Sequence, residues 1–370
     1  MSKDNYHKLE KDAISLLCNL IATPSFSKEE DATAEIINGF IKDQGADPLN
    51  VGNNIFARNK FFDHAKPTIL LNSHHDTVKP NQQFKRDPFH ADIEDGKLFG
   101  LGSNDAGGAL VSLIAAFLHF NDLPDLKYNL VLAATAEEEI SGVNGIEALL
   151  ESKKFLEFVQ VKNKEYNKWS GIVGEPTGMQ MAIAERGLMV LDCKAYGKAG
   201  HAARNEGENA IYKAVKDIQW LGSYQYPKIS ELLGPVKTSV TVINTENKAH
   251  NVVPPECSFV VDVRVNELYE FEEIIEFLQK NLLSQIKPRS TRLKSTMIAH
   301  DHPLVKAGLS LGRTYYGSPT TSDKALMPFP ALKLGPGDSA RSHIADEFIY
   351  TDEIKEGIQL YIALLKKCLL

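Results

Sequence analysis

The apolar residues of this chain change rhythm twice along its length, and that change dictates what it can fold into. Apolar runs at 68–72, 129–134 and 171–174 alternate with helical patterns over 107–120 and 145–155, the rhythm of a largely parallel sheet with helices on both faces. After Glu175, Pro176 and Thr177 the pattern becomes two-residue alternation over 187–196, then a helix over 209–221, strands at 237–244 and 257–265, a helix over 268–283 and a strand near 292–297. That order is the signature of a ferredoxin-like α+β unit. The first rhythm then resumes with a helix over 304–311, a strand at 331–334 and a closing helix over 352–367. The sequence therefore predicts one α/β domain on a mostly parallel mixed sheet, discontinuous over 1–180 and 296–370, interrupted by a smaller inserted domain over 181–295.

Ahead of these runs, Leu9, Ala13, Leu16, Leu17 and Leu20 share one helical face that Pro24 terminates. A second helix is predicted to begin at Ser27, where Ser27 and Glu30 have the spacing of a capping box, and to stop near Gly45.

Bulk properties exclude several classes of function. With 370 residues, 43% of them hydrophobic, the chain can fill a large core and is neither disordered nor fibrous. Its net charge of -7 comes from interleaved acids and bases with no basic stripe to follow a phosphate backbone, so nucleic acid is a poor partner. The first residues, MSKDNYHKLEKD, are polar, and no apolar run approaches the roughly 18 residues that cross a bilayer. A soluble cytoplasmic protein without membrane contact is the expectation. Cys18, Cys193, Cys257 and Cys368 are far apart and read as buried free thiols.

Five connections carry side chains suited to binding cations or moving protons. Asp76 lies two residues beyond His74; in extended chain the two point the same way, so Asp76 can hold the imidazole in one tautomer. Asp105 follows a glycine-rich turn ahead of an apolar helix, where a helix N-cap is the ordinary role. A dinucleotide site fails there, because an aspartate would repel a pyrophosphate. Glu137, Glu138 and Glu139 follow the 129–134 run, three carboxylates that repel one another unless solvated or bound to cations. Glu175 stands before Pro176, and His343 follows the 331–334 run. Each is weak alone, but His74, Asp105, Glu139, Glu175 and His343 all fall at one predicted edge of the sheet, where open α/β sheets build their sites. Two imidazoles and three carboxylates suit two zinc ions bridged by one carboxylate, with positions left open for water and substrate.

The ordered set SHHDTV, LGSNDAGG, TAEEE, GEPT, GKAGHAAR, NVVP, TSD and SHIADE spans nearly the whole chain. It resembles the dizinc deacylases and exopeptidases that include acetylornithine deacetylase, succinyl-diaminopimelate desuccinylase, aminoacylase and the glutamate carboxypeptidase type. The resemblance implies that His74 and Glu175 hold one zinc, Glu139 and His343 the other, and that Asp105 bridges them. It makes Glu138 the general base and Asp76 the residue that orients His74. It also makes the insert a dimerisation or lid domain, with His201 reaching the partner subunit's site, and puts Asn251, Arg264 and Ser322 near the substrate. From spacing alone His201 would be a surface histidine and Arg264 a solvated residue or half of a local ion pair. Ala106-Gly107 and Pro319-Thr320-Thr321-Ser322-Asp323 depart from the family's pattern, which bears on the shape of the acyl or carboxylate pocket and leaves the ligands untouched.

Taken with the residues, the resemblance implies a homodimeric hydrolase with two Zn2+ per subunit, for which Co2+ can substitute, that removes the acyl group of an N-acyl-L-amino acid. N-acetyl or N-succinyl ornithine or citrulline in arginine biosynthesis stands first. Succinyl-diaminopimelate desuccinylation in lysine biosynthesis and di- or tripeptide hydrolysis are the alternatives. A metal-binding protein without catalysis would have no use for Glu138.

Overall fold

The computed structural model describes residues 3–204 and 206–370. Its packing divides the chain into two units: one that runs to Ile183, resumes over Ile298–Tyr316 and closes with Ser322–Leu370, and one made of Ala184–Met297 with Gly317–Thr321.

Four parallel strands form the centre of the first unit, in the order Asn129–Thr135, Thr68–His74, Trp169–Val173 and Ala331–Lys333. Every residue of these strands is buried, which is why they read as unbroken apolar runs rather than alternating ones. The hairpin of Leu49–Val51 and Asn54–Arg58 adds antiparallel strands at one side, and Met181–Glu185 lies antiparallel to Ala331–Lys333 at the other. Gly108–Asn121 is apolar nearly all round because it lies between the sheet and the helices Lys3–Ile21 and Thr351–Leu369. The helix expected over 145–155 is two helices, Ile146–Glu151 and Lys153–Phe158, with Ser152 accepting from the Phe155 amide to cap the second.

Register brings the parallel strands to a common end: His74 lies opposite Thr135, while Asn72 and Lys333 both lie opposite Val173. The connections after these strands therefore leave from one edge of the sheet.

The second unit is a four-stranded antiparallel sheet in the order Lys237–Asn244, Glu256–Val265, Gly187–Tyr196 and Gln285–Pro288. The helices Ala210–Ser223 and Phe271–Asn281 supply Ala214, Leu221, Ile274 and Leu278 to a core whose other side is Leu191, Cys193, Phe259 and Val261 from the central strands. Its fourth strand is not the one expected at 292–297. Ile286 packs on this core from Gln285–Pro288, whereas Thr296 and Met297 pair with Glu185 and Ala184. A four-residue outer strand ending in proline gives too short a signal to read from sequence. Cys193, Cys257 and Cys368 are buried and Cys18 is half-buried, all as free thiols. Among the described residues no helix is long and apolar enough to cross a membrane.

Candidate active site

His74 ends its strand with the imidazole 1% exposed. Its Nδ1 lies 3.0 Å from the Asp76 carbonyl oxygen and 3.3 Å from Asp76 Oδ1. With the proton on Nδ1 donated to that carbonyl, Nε2 presents a lone pair, 3.4 Å from Asp105 Oδ1 and 3.9 Å from Glu175 Oε1. This nitrogen is buried and has no hydrogen-bond partner among the described residues. A lone pair shut in with carboxylate oxygens is an arrangement that a cation satisfies and a solvated loop does not.

Across Asp105 lies a second set. His343 Nε2 is 3.0 Å from Glu139 Oε2 and 3.6 Å from Asp105 Oδ2, with the His343 side chain 54% exposed. The ligand atoms of His74, Asp105 and Glu175 lie within 4.8 Å of one another, as do those of Asp105, Glu139 and His343. Asp105 thus offers one oxygen to each set, and the residues present fit a pair of divalent cations sharing one carboxylate. Asp105 is not a helix N-cap; Gly107 occupies that position ahead of Gly108–Asn121.

The electrostatics are those of a cluster with more acid than base. Burial alone would depress the His74 imidazole, but the Asp105, Asp76 and Glu138 carboxylates outweigh it and raise it well above its usual range. The Glu139 carboxylate raises His343 to about 9. Burial drives Glu138 well above the usual carboxylate range; His74 opposes this, while Glu175, Asp323 and Glu139 add to it. No hydrogen-bond partner among the described residues occupies the Glu138 carboxylate.

The three consecutive glutamates have three different surroundings. Glu137, at φ 57°, turns into its own loop, where Oε1 accepts from Asn144 Nδ2 at 2.8 Å. Glu138 and Glu139 are held by their amides, which donate to Asp76 Oδ1 at 3.0 Å and Oδ2 at 3.1 Å. Asp76 therefore positions both His74 and the turn carrying the two acids, with Ser27 Oγ donating to its Oδ2 at 2.7 Å.

That last contact corrects an expectation. Ser27 and Glu30 form no capping box; the helix is Asp31–Asp43 with Glu30 ahead of it. The Glu30 carboxylate instead accepts from the amides of Lys28 and Glu137 and from Asn53 Nδ2. Both residues are drawn toward the strand-end loops because buried acceptors and donors there need partners more than an exposed helix end does.

Two further acids escaped the sequence reading. Asp323 is buried, accepts from Thr135 Oγ1 at 2.7 Å and is pushed up to about 6 by burial. Glu347 accepts from the amides of Gly102, Asn104 and Asp105 at 3.1, 2.8 and 2.9 Å, and burial pushes it up to about 7. Both stand in or beside the motifs TSD and SHIADE, where the neighbouring serine and histidine are the more conspicuous residues.

Ser322 is buried, and its hydroxyl accepts from the Lys324 amide at the start of the turn Asp323–Leu326. In the second unit, exposed His201 pairs in register with Val252, and the Ala202 amide donates to the Asn251 carbonyl, so the His201 and Asn251 segments are neighbours. Arg264 makes a two-pronged pair with Asp262, Nε to Oδ1 at 2.8 Å and a terminal nitrogen to Oδ2 at 3.0 Å. Its guanidinium is thus engaged locally.

The model of peptidase family M20/M25/M40 matches residues 70–367. A succinyl-diaminopimelate desuccinylase of Roseobacter denitrificans is 26% identical over 96% of this chain and 98% of its own. Among solved structures, an M20 family metallo-carboxypeptidase from Sulfolobus solfataricus superposes with a TM-score of 0.73 at 18% identity, covering 99% of each chain. A dinuclear metal binding peptidase of the M20 family from Bacillus subtilis gives 0.67 at 15% identity, covering 98% of each.

Proposed function

Since this chain belongs to peptidase family M20/M25/M40 and is a metal-dependent hydrolase of amide bonds, we propose that it removes the acyl group from an N-acyl amino acid. An N-succinyl diamino acid of the diaminopimelate type is the first substrate to test. The observation that carries the reaction is Glu138, a half-buried carboxylate with raised basicity beside two cation sets and no hydrogen-bond partner among the described residues. The desuccinylase relative, aligned over nearly all of both chains, supports succinyl-diaminopimelate over the ornithine or citrulline derivatives that the sequence put first.

A divalent pair, for which the nitrogen and oxygen donors suit zinc, supplies the Lewis acidity that makes water nucleophilic near neutral pH. Glu138 takes the proton as the water oxygen attacks the acyl carbonyl, and returns it to the amine as the carbon–nitrogen bond breaks. The products are a carboxylic acid and the free amino acid. Asp76 keeps the Glu138 amide and the His74 ring in place throughout.

The test is a hydrolysis screen of N-succinyl-diaminopimelate, N-succinylornithine, N-acetylornithine, N-acetylcitrulline, dipeptides and tripeptides, before and after chelation. Desuccinylation of diaminopimelate should be fastest, vanish with chelator and return with Zn2+ or Co2+. Turnover confined to peptides, or surviving chelation, would overturn the proposal.

A homodimer through the second unit completes it. Lys237–Asn244 is one of the two edge strands there and the longer, with Val242 and Ile243 52% and 53% exposed, an edge that a second copy can extend. His201 would then donate a hydrogen bond to the oxyanion in the partner subunit's site. Mixing inactive His201→Ala and Glu138→Gln homodimers should restore activity, since one site of each mixed dimer has both groups. Mixed dimers that form but stay inactive would refute action between subunits.

A further inference from the structure

We propose that Asn104 is the positioning residue of the exposed cation set, the clasp that ties the His343 loop to the residue next to the shared carboxylate. The inference rests on the site holding two cations.

Asn104 is fully buried. Its Nδ2 donates to the Asp338 carbonyl at 3.0 Å, and its Oδ1 accepts from the Asp338 amide at 3.0 Å. This reciprocal pair fixes the orientation of the side chain, because the turned amide would set donor against donor and acceptor against acceptor. Nδ2 also lies 3.4 Å from Ser342 Oγ. The chain neighbour of Asn104 is Asp105, the carboxylate common to both sets, and the neighbour of Ser342 is His343. This amide group therefore ties together the two loops whose separation decides whether His343 and Asp105 can share an ion, close to His343 where the Glu347 contacts lie further along the chain.

The site has a reason to need this clasp on one side only. His74 ends a buried strand paired on both flanks, so sheet register fixes it. His343 stands in a connection, exposed and at φ 60°, and no ladder fixes it. The Asp105 backbone has its own support, since Glu347 accepts from the amides of Gly102, Asn104 and Asp105. Removing the Asn104 side chain would thus loosen the 338–343 loop, leaving it the ties of Arg341 to Glu353 and of Asn81 to the His343 carbonyl, while Asp105 stays anchored. Gly337 shows how close the approach is: at φ +90°, a Cβ added there would sit 2.6 Å from Asn104 Oδ1.

The test is calorimetric titration of the full-length, chelator-stripped protein with Zn2+. Wild type should bind two equivalents. Asn104→Ala should hold one within ~3-fold of wild type and weaken the other ~10- to 100-fold, the usual effect of removing a group that orients a ligand. Gly337→Ala, which pushes on the same clasp from the other side, should give the same split and carries the test if Asn104→Ala does not fold. Thermal unfolding without cations separates this from general damage: a variant with a lowered midpoint and both equivalents weakened alike would overturn the proposal, as would two unchanged affinities. Should wild type itself fail to bind two equivalents, the two-cation reading falls first, and visibly so, before any variant is made.

Discussion

The two halves of the site offer the same donor types on unlike foundations. In one, His74 is 1% exposed at the end of a buried strand, with Glu175 in the connection after a neighbouring parallel strand. In the other, His343 is 54% exposed in a loop, and Glu139 sits in a three-residue turn. The first half is set by sheet register, which cannot slip without moving an entire buried strand. The second is set by single side-chain ties: Asp76 to the Glu139 amide, Asn104 to the Asp338 backbone. A site built this way has one position set by the sheet and one that depends on a few hydrogen bonds.

The largest effect separates Glu138 from Glu139, adjacent acids with amides on the same carboxylate. Glu138→Gln should keep both halves loaded and lose ~10²- to 10⁴-fold in kcat, the range of a removed general base. Glu139→Gln should shed one cation and keep the other. Metal analysis of the purified variants beside steady-state kinetics reads both effects. A cation-replete Glu138→Gln that works normally, or a Glu139→Gln that retains two cations, would break the distinction between the neighbours.

The asymmetry also explains which parts are legible in the sequence. Strand-end residues are: an unbroken apolar run such as 68–72 or 129–134 announces a buried parallel strand, and the side chains just beyond it have to emerge at the sheet's edge. His74 and the glutamates after Thr135 are found in this way. His343 and the place of Asp105 between the two sets come from the ordered motifs, because nothing local distinguishes a loop histidine from any other. The supporting contacts are hidden for a physical reason: each joins residues far apart in the chain. Ser27 meets Asp76 from 49 positions away and Glu347 meets Asp105 from 242. Local spacing suggests a capping box for Ser27 and Glu30, but a buried carboxylate outcompetes the helix end. The short hairpin Leu49–Val51 and Asn54–Arg58 and the outer strand Gln285–Pro288 escape because three to five residues carry no measurable period.

The smaller effect concerns the fold without its cations. In that state His74 is enclosed with Asp76 and Asp105 at 3.3 and 3.4 Å and Glu175 at 3.9 Å, and its raised protonation offsets their mutual repulsion. His74→Ala removes that charge, leaves Asp76 without the ring it faces and opens space in the core; a loss of about 2 kcal/mol is expected, as for a buried polar group stripped of its partner. His343 neutralises Glu139 in the same sense, but half of it is in water, where screening reduces such a pair to under ~1 kcal/mol. Urea unfolding of His74→Ala and His343→Ala in excess chelator compares them directly. Equal losses would mean that the exposed half is as much a part of the core as the strand-end half, and the distinction between a register-built and a tie-built position would fail; a large loss for His74→Ala alone would sharpen it to a single residue.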